Sequence, residues 1–130
     1  VIAYDKVGVS PDCGGTWFLP RKVGAAKAAE MMLLGAALDA QAAKDAGIVN
    51  VVAPAGELDR VAAEMAARVA AGATRAFGHF RRLSDAALTT PLAEQLEGER
   101  AAFIAATTTD DFRSGVSAFL EKRKPTFTGS

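Results

Sequence analysis

"GVSPDCGGTWFLPRKVG", residues 8–24, decides how this chain is read. Pro11 and the paired Gly14-Gly15 mark a turn. A short helical piece is expected over about 15–19, ended by Pro20, whose ring removes a backbone donor. Asp12 stands where an aspartate can cap that helix by accepting a hydrogen bond from a first-turn N–H. It also stands where a carboxylate held in a tight bend could act as a general base, a role that typically contributes about 10²–10⁴-fold to a rate. The residues leave both readings open, and one carboxylate could do both.

Outward from this bend, "VIAYDKVGV" (1–9) carries β-branched Val1, Ile2, Val7 and Val9 and predicts a short strand or extended segment. On the other side, "GAAKAAEMMLL" (24–34) is rich in helix formers, with Gly35 placed to stop it. Asp39 is the expected N-cap of "AQAAKDA", which Gly47 ends. "IVNVV" (48–52) predicts a second strand, closed by Pro54. Leu58, Val61, Met65 and Val69 then form one apolar helical stripe, broken by Gly72. Three more helices follow, at about 74–87, 91–106 and 110–122. Pro91 sits in a favoured first-turn position, and Phe112, Val116, Phe119 and Leu120 share a face. Asp110 is the expected cap of the last helix, with Asp111 in its first turn and "KPTFTGS" (124–130) a loop.

The expected fold is therefore mainly α with two short strands. An isolated strand pair is marginal in water, so the front is expected to complete a sheet whose other strands lie outside this sequence. The absence of an initiator methionine fits the same expectation of a fragment.

Lys+Arg and Asp+Glu balance at 15 each, which leaves no footprint for nucleic acid. No apolar run approaches the roughly 20 residues that span a bilayer, so no membrane partner is expected. A single cysteine, Cys13, forms no internal disulfide and leans toward a reducing, cytoplasmic location. His79 is the only histidine, without a second ligand at metal spacing, so no metal is expected. Arg81-Arg82 reads as a solvated helix face.

Three blocks carry a resemblance: "GVSPDCGGTWFLPRKVG", "AAEMMLLGAALDAQAAKDAGIVNVVAP" and the ending "DDFRSGVSAFLEKRKPTFTG". In order and spacing they resemble the back half of the crotonase superfamily, the enoyl-CoA hydratases and isomerases. The resemblance implies the C-terminal part of an α/β spiral core over 1–55 and a helical region over 56–130 that makes oligomer and CoA contacts. It implies an acyl-CoA thioester as substrate, with coenzyme A part of that substrate and no other cofactor. It further implies a homotrimer or dimer of trimers. The family holds the thioester carbonyl with two backbone N–H groups, an arrangement that stabilises developing negative charge. In the family these come from segments upstream of residue 1, so residues 1–130 alone are expected to be inactive.

The same resemblance assigns site residues. Hydratases carry a glutamate where this chain has Tyr4, which disfavours ordinary hydration. Several isomerases and dehalogenases place an aspartate in the turn before two small residues, and Asp12 matches that position. The ending and the bend together most resemble ring-epoxyphenylacetyl-CoA isomerases. Tyr4, Gly14, Gly15, Trp17 and Phe18 are the candidate substrate contacts. Phe103 and Lys122 match positions that meet the CoA adenine and phosphates. Packing is an open alternative for Tyr4, Trp17, Phe18 and Phe103, and a solvated charge for Lys122. A reading of a different class also stands: a non-catalytic helical assembly or partner-binding module, suggested by the stripes at Leu58–Val69 and Phe112–Leu120.

Overall fold

The computed structural model describes residues 2–130, and among them every regular element is a helix. Two compact units divide after Glu57. The first contains α1 (Tyr4–Val7), α2 (Gly15–Val23), α3 (Ala25–Leu33) and α4 (Ala40–Asp45). The second, Leu58–Ser130, contains α5 (Leu58–Ala70), α6 (Thr74–Ala86), α7 (Leu92–Thr107) and α8 (Asp110–Leu120).

The expected α/β fold with strands at 1–9 and 48–52 is overturned, because no strand occurs among the described residues. Val1 lies outside them. Residues 4–7 instead close a single helical turn, which Gly8 ends in the left-handed region at φ 68°. At the second site, the Ile48 and Val49 N–H groups both donate to the Ala43 carbonyl, so the end of α4 satisfies them locally. β-branched residues favour a strand only where a neighbouring ladder exists to pack and pair with. Here none does.

Other ends follow side-chain chemistry. Asp39 caps α4 by accepting from the Ala42 N–H at 2.8 Å. Pro20 does not end α2, which continues to Val23, and the Gly24 N–H donates to the Pro20 carbonyl at 2.9 Å. The Arg21 guanidinium bridges that proline by lying 3.9 Å over the Trp17 ring and donating to the Trp17 carbonyl. The cap of α8 is Thr109, not Asp110: its hydroxyl accepts the Phe112 N–H at 3.0 Å and donates to Ala106. Asp110 instead pairs with Arg113.

Packing is thin in both units. α3 lies against α2 and α1, and α7 lies against α6 and α8. Among the described residues the buried apolar side chains are only Ala28, Met31 and Ala118. The chain exposes 9502 Å², where two separate globules of these lengths would expose roughly 8,000 Å².

The tail after α8 has no regular structure but is tied down. Asp111, buried, accepts from the Thr128 and Gly129 N–H groups at 2.7 and 3.0 Å, and its own N–H donates to the Ser130 carbonyl. The Ser114 hydroxyl donates to the Thr126 carbonyl at 2.7 Å.

Candidate functional site

The bend at 8–15 is built from residues in unusual backbone conformations. The Gly15 N–H donates to the Asp12 carbonyl at 2.9 Å, closing a turn whose central residues, Cys13 and Gly14, have φ 51° and 77°. That pattern is the one a type I′ turn requires. Gly14 is also the N-cap of α2, which has no side-chain cap bond, so Asp12 does not cap this helix.

The two glycines differ in what they require. A Cβ on Gly14 would lie 2.9 Å from a Phe18 ring carbon, on top of the penalty for a positive φ. A Cβ on Gly15 would meet only ordinary contacts, the nearest at 3.5 Å from Met32. Gly14→Ala is therefore expected to destabilise the chain by about 1–2 kcal/mol. Gly15→Ala, which lowers the entropy of the unfolded chain, should stabilise it by about 0.5 kcal/mol. Urea midpoints of the two variants measure this, and a shift of the same sign in both would overturn it.

Asp12 is exposed, and its Oδ1 accepts a hydrogen bond from the Tyr4 hydroxyl at 2.7 Å. The Tyr4 bond, followed by the Cys13 thiol, holds the Asp12 carboxyl below its ordinary range. The same bond to Asp12 raises the Tyr4 phenol above its ordinary value. What the pair adds to stability is present above the unfolded aspartate value and is lost as pH falls through the depressed one. At the other end it is present below the unfolded tyrosine value and is lost as pH rises through the raised one.

Tyr4 is half-buried in the wall of a pocket of about 300 Å³ that Gly15 and Phe18 also line. Ile2, Leu19, Met32 and Ile48 complete its apolar surface, and Lys22 supplies a cation. Asp12 is not part of this lining and joins it only through Tyr4. Trp17 also lies outside it, with its ring edge-on to Phe18 at 4.7 Å and beneath Arg21.

In the second unit, Phe103 is 68% exposed on α7 and borders a groove shared with Phe80 and His79 of α6. Lys122 is not in that groove. It follows α8 at φ 54°, while the neighbouring Glu121 gives its carboxylate to Ser117 and Arg123. His79 shares a hydrogen bond with Arg82 through its Nδ1. Among the described residues no group of three His, Cys, Asp or Glu side chains could hold a metal ion. No helix among them is long and apolar enough to cross a membrane.

Comparison with known proteins adds the decisive observation: the family described as "Enoyl-CoA hydratase/isomerase" matches residues 2–130. The chain belongs to the enoyl-CoA hydratase/isomerase family. Within that family it is 41% identical over 129 residues to the 1,2-epoxyphenylacetyl-CoA isomerase of Escherichia coli, covering 99% of this chain and 49% of that protein. An enoyl-CoA hydratase structure from Polaromonas superposes with a TM-score of 0.89 at 36% identity, over 97% of this chain and 49% of that one. An enoyl-CoA hydratase/isomerase-like structure from Mycobacterium abscessus superposes at 0.93, also at 36% identity, over 98% and 49%. The chain thus spans about half the length of the family relatives it matches.

Sequence reasoning named Tyr4 and Asp12 separately and missed their contact. It also missed Lys22 and Met32 as pocket walls and Asp111 as the anchor of the tail. The signal available for Asp111 was its place in the first turn of a helix followed, seventeen residues on, by a Thr-Gly-Ser segment.

Proposed function

We propose that residues 1–130 act as a helical assembly module of an enoyl-CoA hydratase/isomerase-family enzyme, and that by themselves they do not complete a catalytic site. The exposed apolar surface carries this reading. Phe119 and Leu120 on α8 are 82% and 74% exposed. The area in excess of two ordinary globules is on the order of 1,500 Å², about twice what each partner loses in a standard interface. Burying these faces against further copies, as a homotrimer or dimer of trimers, would complete the cores that the two units lack.

Light scattering on size-exclusion fractions tests the module. A mass of several chains is expected at micromolar concentration, and Phe119→Asp with Leu120→Asp should lower it while leaving helical circular dichroism unchanged. A monomeric wild type, or turnover of acyl-CoA thioesters by residues 1–130 alone, would overturn the proposal.

A second reading concerns a complete enzyme. It is an acyl-CoA isomerase in which Asp12 is the general base, Tyr4, Gly15 and Phe18 meet the acyl group through the pocket they line, and Gly14 and Trp17 back that wall through Phe18. Phe103 and Lys122 would meet the CoA end. The similarity to the Escherichia coli 1,2-epoxyphenylacetyl-CoA isomerase favours it over hydration, as does a tyrosine at position 4 bonded to the one candidate carboxylate.

A further inference from the structure

We infer that Tyr4 is a positioning residue for Asp12: it lines the pocket, and its hydroxyl ties the carboxylate, which lies outside that lining, to the pocket wall. This rests on the isomerase reading above and adds to it a residue that acts only through Asp12.

Both ends of the contact are held by backbone. The Tyr4 carbonyl accepts from the Gly8 and Val9 N–H groups, so the turn of α1 folds the chain back on itself. The Asp12 carbonyl accepts from Gly15, so the carboxylate leaves a closed turn. The hydroxyl then joins the two at 2.7 Å across eight residues of sequence. An exposed aspartate would otherwise turn freely between rotamers; a donor on Oδ1 selects one. At neutral pH the carboxylate is ionised with or without Tyr4, so what the phenol contributes is direction.

In the proton transfer this serves, the carboxylate takes a proton from the carbon beside the thioester as the C–H electron pair moves toward the carbonyl oxygen. Where the acyl chain carries a β,γ double bond the product is a dienolate, and the carboxylic acid returns the proton to its γ-carbon as the double bond shifts to the α,β position and the carbonyl re-forms. Tyr4 keeps its own proton throughout. Cys13 lies beside the carboxylate, Lys22 stands in the pocket wall that includes Tyr4, and Asp5 and Lys6 follow Tyr4 on the same turn of α1.

Tyr4 is the only tyrosine in the chain, so tyrosinate absorbance near 295 nm reports this one hydroxyl. In the 130-residue chain, the midpoint of that titration is expected to move down on Asp12→Asn. Independently, the Asp12 carboxyl resonance, followed by ¹³C NMR in Tyr4→Phe, is expected to titrate at higher pH than in wild type. A tyrosinate midpoint that Asp12→Asn leaves in place, or an Asp12 titration that Tyr4→Phe leaves in place, would overturn the pairing. Turnover by an Asp12→Asn enzyme speaks only to the base reading, so the two ideas fail on different measurements.

Discussion

Asp111→Ala is expected to release residues 126–130 from α8 and to lower stability by about 3 kcal/mol. Asp111 is 4% exposed, and its carboxylate receives two short backbone hydrogen bonds, from Thr128 and Gly129, with the Thr128 hydroxyl a more distant third at 3.5 Å. Hydrogen bonds to a charged acceptor each contribute about 1.5–3 kcal/mol, more than neutral ones. Part of that loss is recovered as the freed amides meet water, which keeps the total near the lower end of the sum. Asp111→Asn should cost less, because its carbonyl oxygen can still accept from one amide while its NH₂ faces the other donor. Denaturation midpoints measure the cost, and amide exchange at Thr128 and Gly129 locates it. Unchanged exchange at both amides in the alanine variant would show that the tail is held by something else, such as Phe127 against Gly115.

The second large effect belongs to Asp12. In a full-length chain carrying these residues, Asp12→Asn is expected to lower kcat for isomerisation by about 10²–10⁴-fold with KM little changed. The amide keeps the size of the carboxylate and can still accept from Tyr4, so binding and local structure survive while the proton acceptor is lost. A reduced kcat with intact KM is the mark of an interaction made in the transition state. An unchanged kcat would end the role of Asp12 as base and leave the assembly reading alone. The fall in carboxyl proton affinity that Tyr4 imposes makes Asp12 a weaker base than a free aspartate. Its contribution therefore depends on orientation beside an activated thioester more than on basicity.

The helices were legible where one residue decides an end. Asp39 and Gly35 each hold a position only a capping or left-handed residue fills well, and both bound helices as expected. The last helix shows the limit of such signals. Thr109 and Asp110 are adjacent capping types, and the choice fell to Thr109, whose hydroxyl also reaches back to Ala106.

Strand propensity misled at 1–9 and 48–52 because it measures fit to a neighbouring strand, and none is present among the described residues. That error hid the site. If residues 4–12 ran extended, Tyr4 and Asp12 would be roughly 26 Å apart. Once α1 closes a turn and Gly8 reverses the chain, they touch. The resemblance therefore drew attention to both residues, while the backbone reading placed them out of reach of one another.

The scarcity of enclosed side chains has a thermodynamic consequence. If, as proposed, the chain completes its hydrophobic interior by joining copies of itself, unfolding is coupled to dissociation. Its melting temperature then becomes a function of dilution, and a figure obtained at one concentration does not transfer to another.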